Sequence, residues 1–279
     1  MPIDRKAVQR VFGRAAYTYS DAAVLDQSVG GELLSRLDLL KASPARILDA
    51  GCGGGYCTGL LRQRYPDAEI VGIDLSLYML QATAQKHANT VSPRVLTSAE
   101  HLPFADARFD LVFSNLMLPW CDIGAALVEL QRVMCPESAL MFSAFGPDTL
   151  IELRQAWGKV DELPHVHDFY DMHDIGDALL HAGFAEPIVD VDRITVTYAS
   201  IDAMICELRN SGATNIHPQR RKSLTGKKRF QRFCAAVENC RDEDQRISLN
   251  YEVIYGHAWI APTQDSDAVT ISLDSLQAR

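Results

Sequence analysis

Ile47-Leu48-Asp49-Ala50-Gly51-Cys52-Gly53-Gly54-Gly55 is an apolar run that ends on an acidic residue and passes straight into a glycine-rich turn. Gly72-Ile73-Asp74 follows at the offset where nucleoside-binding α/β folds carry an acid for the ribose. Residues without a β-carbon let a turn between strand and helix approach a ligand closely. A dinucleotide fingerprint G-x-G-x-x-G, counted from Gly51, needs its third glycine where this chain has Tyr56. What remains is G-x-G-x-G preceded by Asp49, and a carboxylate beside the turn suits a cationic amino-acid tail better than a phosphate. S-adenosylmethionine has such a tail, and Asp74 is positioned to take both ribose hydroxyls. The alternative is a strand-turn-helix whose glycines serve only the turn.

Around this turn the segments alternate between apolar strands and amphipathic helices, the pattern of a parallel sheet with crossover helices. The predicted strands are Arg46 to Asp49, Glu69 to Asp74, Arg94 to Thr97, Phe109 to Asn115 and Ala139 to Phe145. Between them the pattern predicts helices over Tyr56 to Tyr65, Ser76 to His87 with Ser76 as N-cap, and Gly124 to Met134 capped by Asp122. Cys135-Pro136 ends the last of these. Residues 5–40 read as two helices with Gly30-Gly31 as the weak spot. Beyond the fifth strand come a helix over Asp148 to Val160, a loop over Glu162 to Met172 and a helix over Asp174 to Ala182. Pro187 to Tyr198 alternates like a half-exposed strand. Helices at Ser200 to Asn210 and Gly226 to Cys240 form an insertion before a last strand, Leu249 to Ile260. The expected organisation is an N-terminal helical cap (1–40), an α/β domain (41–262) with a helical insertion at about 201–245, and a loose polar tail (263–279).

Composition narrows the classes further. Hydrophobic residues make up 47% and charged residues 23% of the 279, so the chain has no disordered majority. No stretch approaches the roughly 18 apolar residues of a membrane helix, and Met1 to Lys6 starts no signal peptide, so a cytoplasmic protein without membrane contact is expected. The seven cysteines include no C-x-x-C pair and sit mostly in apolar segments, which argues for reduced thiols and against a zinc site. His165-Val166-His167-Asp168 and His173 show no metal-ligand spacing and read as a polar loop; no metal is expected. A formal net charge of −9 speaks against nucleic-acid binding. Against that background Arg220, Arg221, Lys222, Lys227, Lys228, Arg229 and Arg232 follow one another without an acidic residue between them. The stripe is either a docking surface for an acidic partner or a solvated helix face.

The glycine turn and the strand order resemble the class I S-adenosylmethionine-dependent methyltransferases, which implies a Rossmann-like, doubly wound sheet of seven strands with the last antiparallel. Further segments narrow the resemblance: Phe12-Gly13-Arg14-Ala15-Ala16 with Tyr19, Phe109 to Leu116 with Trp120-Cys121, Glu152 to Trp157, and Gly212-Ala213-Thr214-Asn215. With these the chain resembles the malonyl-acyl-carrier-protein O-methyltransferases of biotin synthesis. The resemblance implies methyl transfer from S-adenosylmethionine, leaving S-adenosylhomocysteine, to the free carboxylate of a malonyl thioester on acyl carrier protein. It implies cofactor contacts from Asp49, Gly51, Cys52 and Gly53 to the methionine moiety, Asp74 to the ribose and Leu75 to the adenine. Ser98 stands where the family carries an acid for the adenine amino group, so that contact falls to the Ser98 hydroxyl or the Ala99 backbone. Asn115 ends the fourth strand, at the ligand end of such sheets.

An already ionised carboxylate needs no general base, so none is assigned. It needs an arginine that grips it in a bidentate fork. Arg154 is the first candidate and Arg14 the second, each with an ordinary surface role as the alternative; Tyr19 either closes over the site or is a core tyrosine. The resemblance turns the basic stripe, Arg220, Arg221, Lys222, Lys227, Lys228 and Arg229, into a docking surface for the acidic helix of the carrier protein. Two other readings stay open: an arginine hydroxylase or assembly factor like those that act on respiratory complex I, and a methyltransferase for a quinone-type small molecule.

Overall fold

The computed structural model describes residues 3–40, 43–86 and 92–262; the expected loose tail and the His87 helix end lie outside them. The chain opens with three helices, α1 (Arg5–Ala15), α2 (Tyr19–Ala22) and α3 (Val24–Ser35), where the sequence predicts two. Asp4 caps α1 by accepting from the Ala7 N–H at 3.0 Å. The chain does not break at Gly30-Gly31; α3 runs through both. Gly30 is required by contact, because a Cβ there would stand 2.6 Å from Cys57 Sγ and 3.1 Å from Asn115 Nδ2. Gly31 has nothing within 4 Å of its Cβ position. Gly30→Ala is therefore expected to lower stability by about 1–3 kcal/mol through overpacking. Gly31→Ala is expected to raise it by about 0.5–1 kcal/mol. Paired melts check this, and shifts of the same sign would remove the packing role of Gly30.

The core follows in the predicted alternation: β1 (Arg46–Ala50), α4 (Tyr56–Arg64), β2 (Glu69–Asp74), α5 (Leu77–Lys86), β3 (Arg94–Leu96), β4 (Phe109–Ser114), α6 (Ile123–Val133) and β5 (Met134–Phe145). Asp122 caps α6 through the Ala125 N–H at 3.1 Å, and Ser76 Oγ accepts from Met79 N at 3.4 Å at the start of α5. α6 ends at Val133 and the chain turns directly into β5, since Pro136 disfavours helical angles at Cys135. Then come α7 (Ile151–Gly158), α8 (Met172–His181), β6 (Ala185–Tyr198), α9 (Ile201–Asn210), α10 (Lys227–Val237) and β7 (Ile247–Trp259). α7 is shorter than predicted, starting after Leu150 at φ 55°. α8 starts earlier, on Asp171, which accepts from His173 N at 2.8 Å.

The seven strands form one sheet in the order β3-β2-β1-β4-β5-β7-β6. β1 to β5 pair in parallel, and β7 lies antiparallel between β5 and β6. Strand neighbours such as Ile47 and Leu48, or Met141 and Phe142, go to opposite faces, each into its own apolar cluster. Both faces of the central strands are therefore covered, as a parallel sheet requires, and each fully buried Leu, Ile or Phe contributes about 1.5–3 kcal/mol. The order reverses at β1 and β4, and ligands of open α/β sheets sit outside the strand ends at such a point. Among the described residues no helix is long and apolar enough to cross a membrane.

Candidate active site

Asp49 lies near the end of β1, 1% exposed, and accepts from Thr58 Oγ1 at 2.5 Å. Burial pushes its carboxyl up to about 7; the Thr58 hydrogen bond opposes this and the nearby charge of Asp74 adds to it. The glycine turn is tied to β2, because Gly51 N and Cys52 N both donate to the Ile73 carbonyl at 2.9 Å. Gly51 has φ +80°, and a Cβ there would meet Met117 Cγ at 2.5 Å, so both conformation and space require glycine. Gly53 N donates to Asp74 Oδ2 at 3.0 Å and Ser76 N to Asp74 Oδ1 at 2.7 Å. Asp74 thus shapes the turn while its remaining lone pairs are free to accept. Burial raises its carboxyl to about 6 against those backbone donors.

A cavity of about 390 Å³ opens at the carboxyl ends of β1, β2 and β4, lined there by Gly51, Gly53, Asp74, Leu75, Ser98, Ala99 and Asn115. A smaller pocket of about 30 Å³ beside it is lined by Asp49, Cys52, Tyr19 and Asp26. The predicted cofactor residues are therefore brought together, with Asp49 and Cys52 at the inner end. A turn whose Gly51 and Gly53 take positive φ and line the cavity, an inner carboxylate beside it and an outer one at the ribose offset fit S-adenosylmethionine. Ser98 Oγ donates to Glu100 Oε2 at 3.2 Å. Glu100 is itself held by the Asp122 N–H at 2.6 Å and by an ion pair to Arg5, which ties α1 to the sheet.

The N-terminal helices and the insertion roof the cavity. Thr18 Oγ1 donates to the Asn210 carbonyl at 3.1 Å, joining the two. Gly13 packs on Tyr78, Phe12 meets Trp120 edge-on at 5.1 Å, and a Cβ on Gly212 would stand 2.9 Å from Phe12. The Phe-Gly-Arg-Ala-Ala segment is thus a packing surface that seats the roof. Tyr19 lies against Gly53 and Gly54, lines both pockets, and donates its hydroxyl to Asp26 Oδ2 at 2.5 Å. Burial and Asp26 hold the Tyr19 phenol well above its ordinary value. Asn115 donates to the Asp26 carbonyl at 2.9 Å and accepts from Ser143 Oγ at 2.8 Å.

The expected arginine clamps are not presented to the cavity. Arg154 donates to Asp168 Oδ1 at 2.9 Å and to the His167 carbonyl at 3.2 Å, and it does not line the cavity. Arg14 is exposed on α1, also off the lining. The basic stripe divides in two. Arg220 donates to the Ile216 and His217 carbonyls, Arg221 to Asp161 at 3.1 Å, and Arg229 lies 4.0 Å from the same carboxylate. Lys222, Lys227 and Lys228 are exposed and make no side-chain hydrogen bond or ion pair with described residues. Thr225 and Phe230 of the same stretch line the cavity, so the free lysines stand around its rim.

Several lining residues have no counterpart among the predicted ones. Asp26 is half-buried, and desolvation raises its carboxyl to about 6, with Glu207 adding to the rise and the Tyr19 hydrogen bond opposing it. The segment read as a plain polar loop carries His165, stacked on Trp157 at 3.8 Å, and His167, stacked on Trp120 at 5.7 Å. Trp157 stacks on Phe233 of α10 at 4.2 Å, completing an aromatic wall. An acid beside the apolar pair Val24-Leu25 is the available signal for the first of these; His167 carries none, because its stacking partner Trp120 lies far away in sequence, and His165 is betrayed only by the nearby Trp157. Among the described residues no three His, Cys, Asp or Glu side chains are grouped to hold a metal.

Residues 48–142 match the family described as a methyltransferase domain. The chain is 44% identical over 266 residues to malonyl-[acyl-carrier protein] O-methyltransferase of Laribacter hongkongensis, covering 92% of this chain and 89% of that one. With the protein of the same name from Halorhodospira halophila the identity is 42% over 278 residues, covering 98% and 94%. A putative methyltransferase from Bacillus halodurans shares the fold at 15% identity with a TM-score of 0.60, over 83% of this chain and 99% of that one.

Proposed function

The chain belongs to the malonyl-[acyl-carrier protein] O-methyltransferases, and on that premise we propose that it methylates the free carboxylate of a malonyl thioester carried by acyl carrier protein, the methyl ester serving biotin synthesis. The observation that carries the reading is the cradle of Asp49, Gly51 and Asp74 opening directly into a roofed, aromatic-walled cavity. Bound there, S-adenosylmethionine supplies a methyl group already activated by its sulfonium. Asp49 and the turn backbone would hold the methionine moiety, Asp74 would accept from the ribose hydroxyls, and Leu75 would pack on the adenine. Ser98, whose proton goes to Glu100 and whose Oγ also accepts from Glu100 N at 3.4 Å, keeps one lone pair that would serve the adenine amino group.

The chain's own part in the reaction is alignment. The malonyl carboxylate is ionised at neutral pH, so no residue has to remove a proton. Holding nucleophile and methyl in line accounts for on the order of 7–11 kcal/mol of barrier reduction. Tyr19, fixed by Asp26, closes the cavity over the turn and helps exclude water. All seven cysteines are free thiols, in keeping with a cytoplasmic enzyme.

We assign carrier-protein docking to the rim lysines together with the arginines behind them. Acidic helices of a carrier would meet Lys222, Lys227 and Lys228 first, and contacts of this kind act on association rate and partner choice. Exchanging all three for Glu is expected to raise KM for malonyl carrier protein about tenfold or more and to leave malonyl-coenzyme A methylation unchanged. Equal loss on both substrates would remove the docking assignment. The function itself is tested with labelled S-adenosylmethionine and malonyl, succinyl and acetyl carrier proteins, read by intact mass. One added methyl on the malonyl form supports it; no transfer, with a hydroxylated protein arginine instead, would replace it.

A further inference from the structure

We propose that Arg209, in the last turn of α9, is the residue that grips the substrate carboxylate, an assignment that rests on the methyl-transfer reading above. Of the described residues that line the main cavity, Arg209 is the one lysine or arginine. Its guanidinium makes no ion pair and no hydrogen bond with any described residue, so all its donors are available. Besides Tyr19, Tyr251 and Cys121, which are neutral at physiological pH, the other ionisable groups of the described lining are acids and imidazoles: Asp26, Asp74 and Glu207, with His165 and His167. Glu207, two positions before Arg209, accepts from the Tyr198 hydroxyl at 2.8 Å. A negatively charged acyl group entering this cavity faces three carboxylates, and without a cation its desolvation goes uncompensated.

Neither imidazole supplies that cation. His165 Nε2 is engaged with Asp161 Oδ1 at 2.8 Å. His167 is 6% exposed, and burial lowers its pKa, which keeps it neutral. Arg154 is paired with Asp168 off the lining, as described. Arg209 alone combines reach, charge and vacancy, and a guanidinium fork matches a carboxylate in two parallel hydrogen bonds while leaving the outward lone pair to attack. Because Arg209 is exposed, it stays hydrated until substrate arrives and costs the fold nothing in buried charge. It also stands on the insertion, the element that distinguishes this chain's cavity from a bare α/β core.

The test uses the full chain with malonyl carrier protein as methyl acceptor and acetyl carrier protein, which lacks the carboxylate, as competitive inhibitor. Arg209→Gln is expected to raise KM for the malonyl form by about ten- to a hundredfold, the range of a lost charged hydrogen-bond pair. The inhibition constant of the acetyl form and the affinity for S-adenosylmethionine stay within about twofold of the wild type. Arg209→Lys recovers part of the loss, and Arg154→Gln leaves KM within about threefold. A malonyl KM unchanged in Arg209→Gln overturns the assignment, and so does an acetyl inhibition constant that rises in parallel, which would mark a general loosening of the roof. Wild-type enzyme that transfers no methyl to the malonyl form overturns the methyl-transfer reading itself, and the role of Arg209 with it.

Discussion

An Asp74→Ala enzyme is expected to bind S-adenosylmethionine at least about a hundredfold more weakly than the wild type and to melt earlier without cofactor. The carboxylate does two things at once. Its two oxygens accept from Gly53 N and Ser76 N, which shapes the glycine turn and starts the segment leading into α5. On the proposed reading its remaining lone pairs would take the ribose hydroxyls. Hydrogen bonds to a charged group contribute about 1.5–3 kcal/mol each, so losing two to the ribose exceeds a hundredfold in affinity. The two orphaned N–H groups account for the earlier melt, at about 1–3 kcal/mol for each one left buried and unpaired. Titration calorimetry with S-adenosylmethionine and a thermal melt read the two effects separately. Affinity within about threefold of wild type would show that the ribose is held elsewhere.

The second large effect is on pH. Without cofactor, the folded chain keeps protons on Asp49 to about pH 7 and on Asp26 and Asp74 to about 6, whereas an unfolded chain releases them near the ordinary value of 3.8. Between those limits the folded state binds more protons than the unfolded one, so these groups make stability fall as pH rises, completely so above about pH 7. Glu129, lowered to about 2 by Arg132, acts in the opposite sense but only below its ordinary value of 4.5. His167 and His257, both lowered by burial, also oppose it, below about pH 6.5. The clean readout is therefore a difference: between pH 5 and 8 the wild-type melting temperature should fall relative to that of Asp49→Asn.

A cationic cofactor favours the ionised carboxylates, so its binding should release protons. Calorimetry near pH 6.5 in two buffers of different ionisation enthalpy measures that release, expected at about one proton per cofactor bound. Affinity should weaken as pH drops below about 7. A melting difference that does not vary with pH, together with no proton release, would mean that Asp49 is ionised in the free protein.

Most of the sheet was readable from local pattern. Each parallel strand is an apolar run bounded by turns, and the crossover helices bring β1 beside β2, β2 beside β3 and β4 beside β5; only the step from β3 back to β4 beside β1 is not local. Gly30-Gly31 misled for a related reason. Glycine is a weak helix former, and only the contact of α3 with Cys57 and Asn115 explains why one sits at that spot. The shift of α8 to Met172 has a similar origin, because a cap is decided by which side chain reaches the first free N–H, and that was Asp171.

The amino-acid order by itself determined the cofactor turn. Asp49, Gly51, Gly53 and Asp74 lie within one strand-turn-helix-strand unit, so their spacing already specifies their geometry. It could not decide which arginine lines the cavity. Arg14, Arg154 and Arg209 all carry the same charge in helical segments, and nothing local separates them. Only the packed structure does, because burial and pairing are properties of distant neighbours: Asp168 takes Arg154, α1 turns Arg14 outward, and the insertion folds back over the strand ends with Arg209 on the cavity wall. The same holds for His167, whose stacking partner Trp120 lies 47 residues away and meets it only when the loop closes over the sheet.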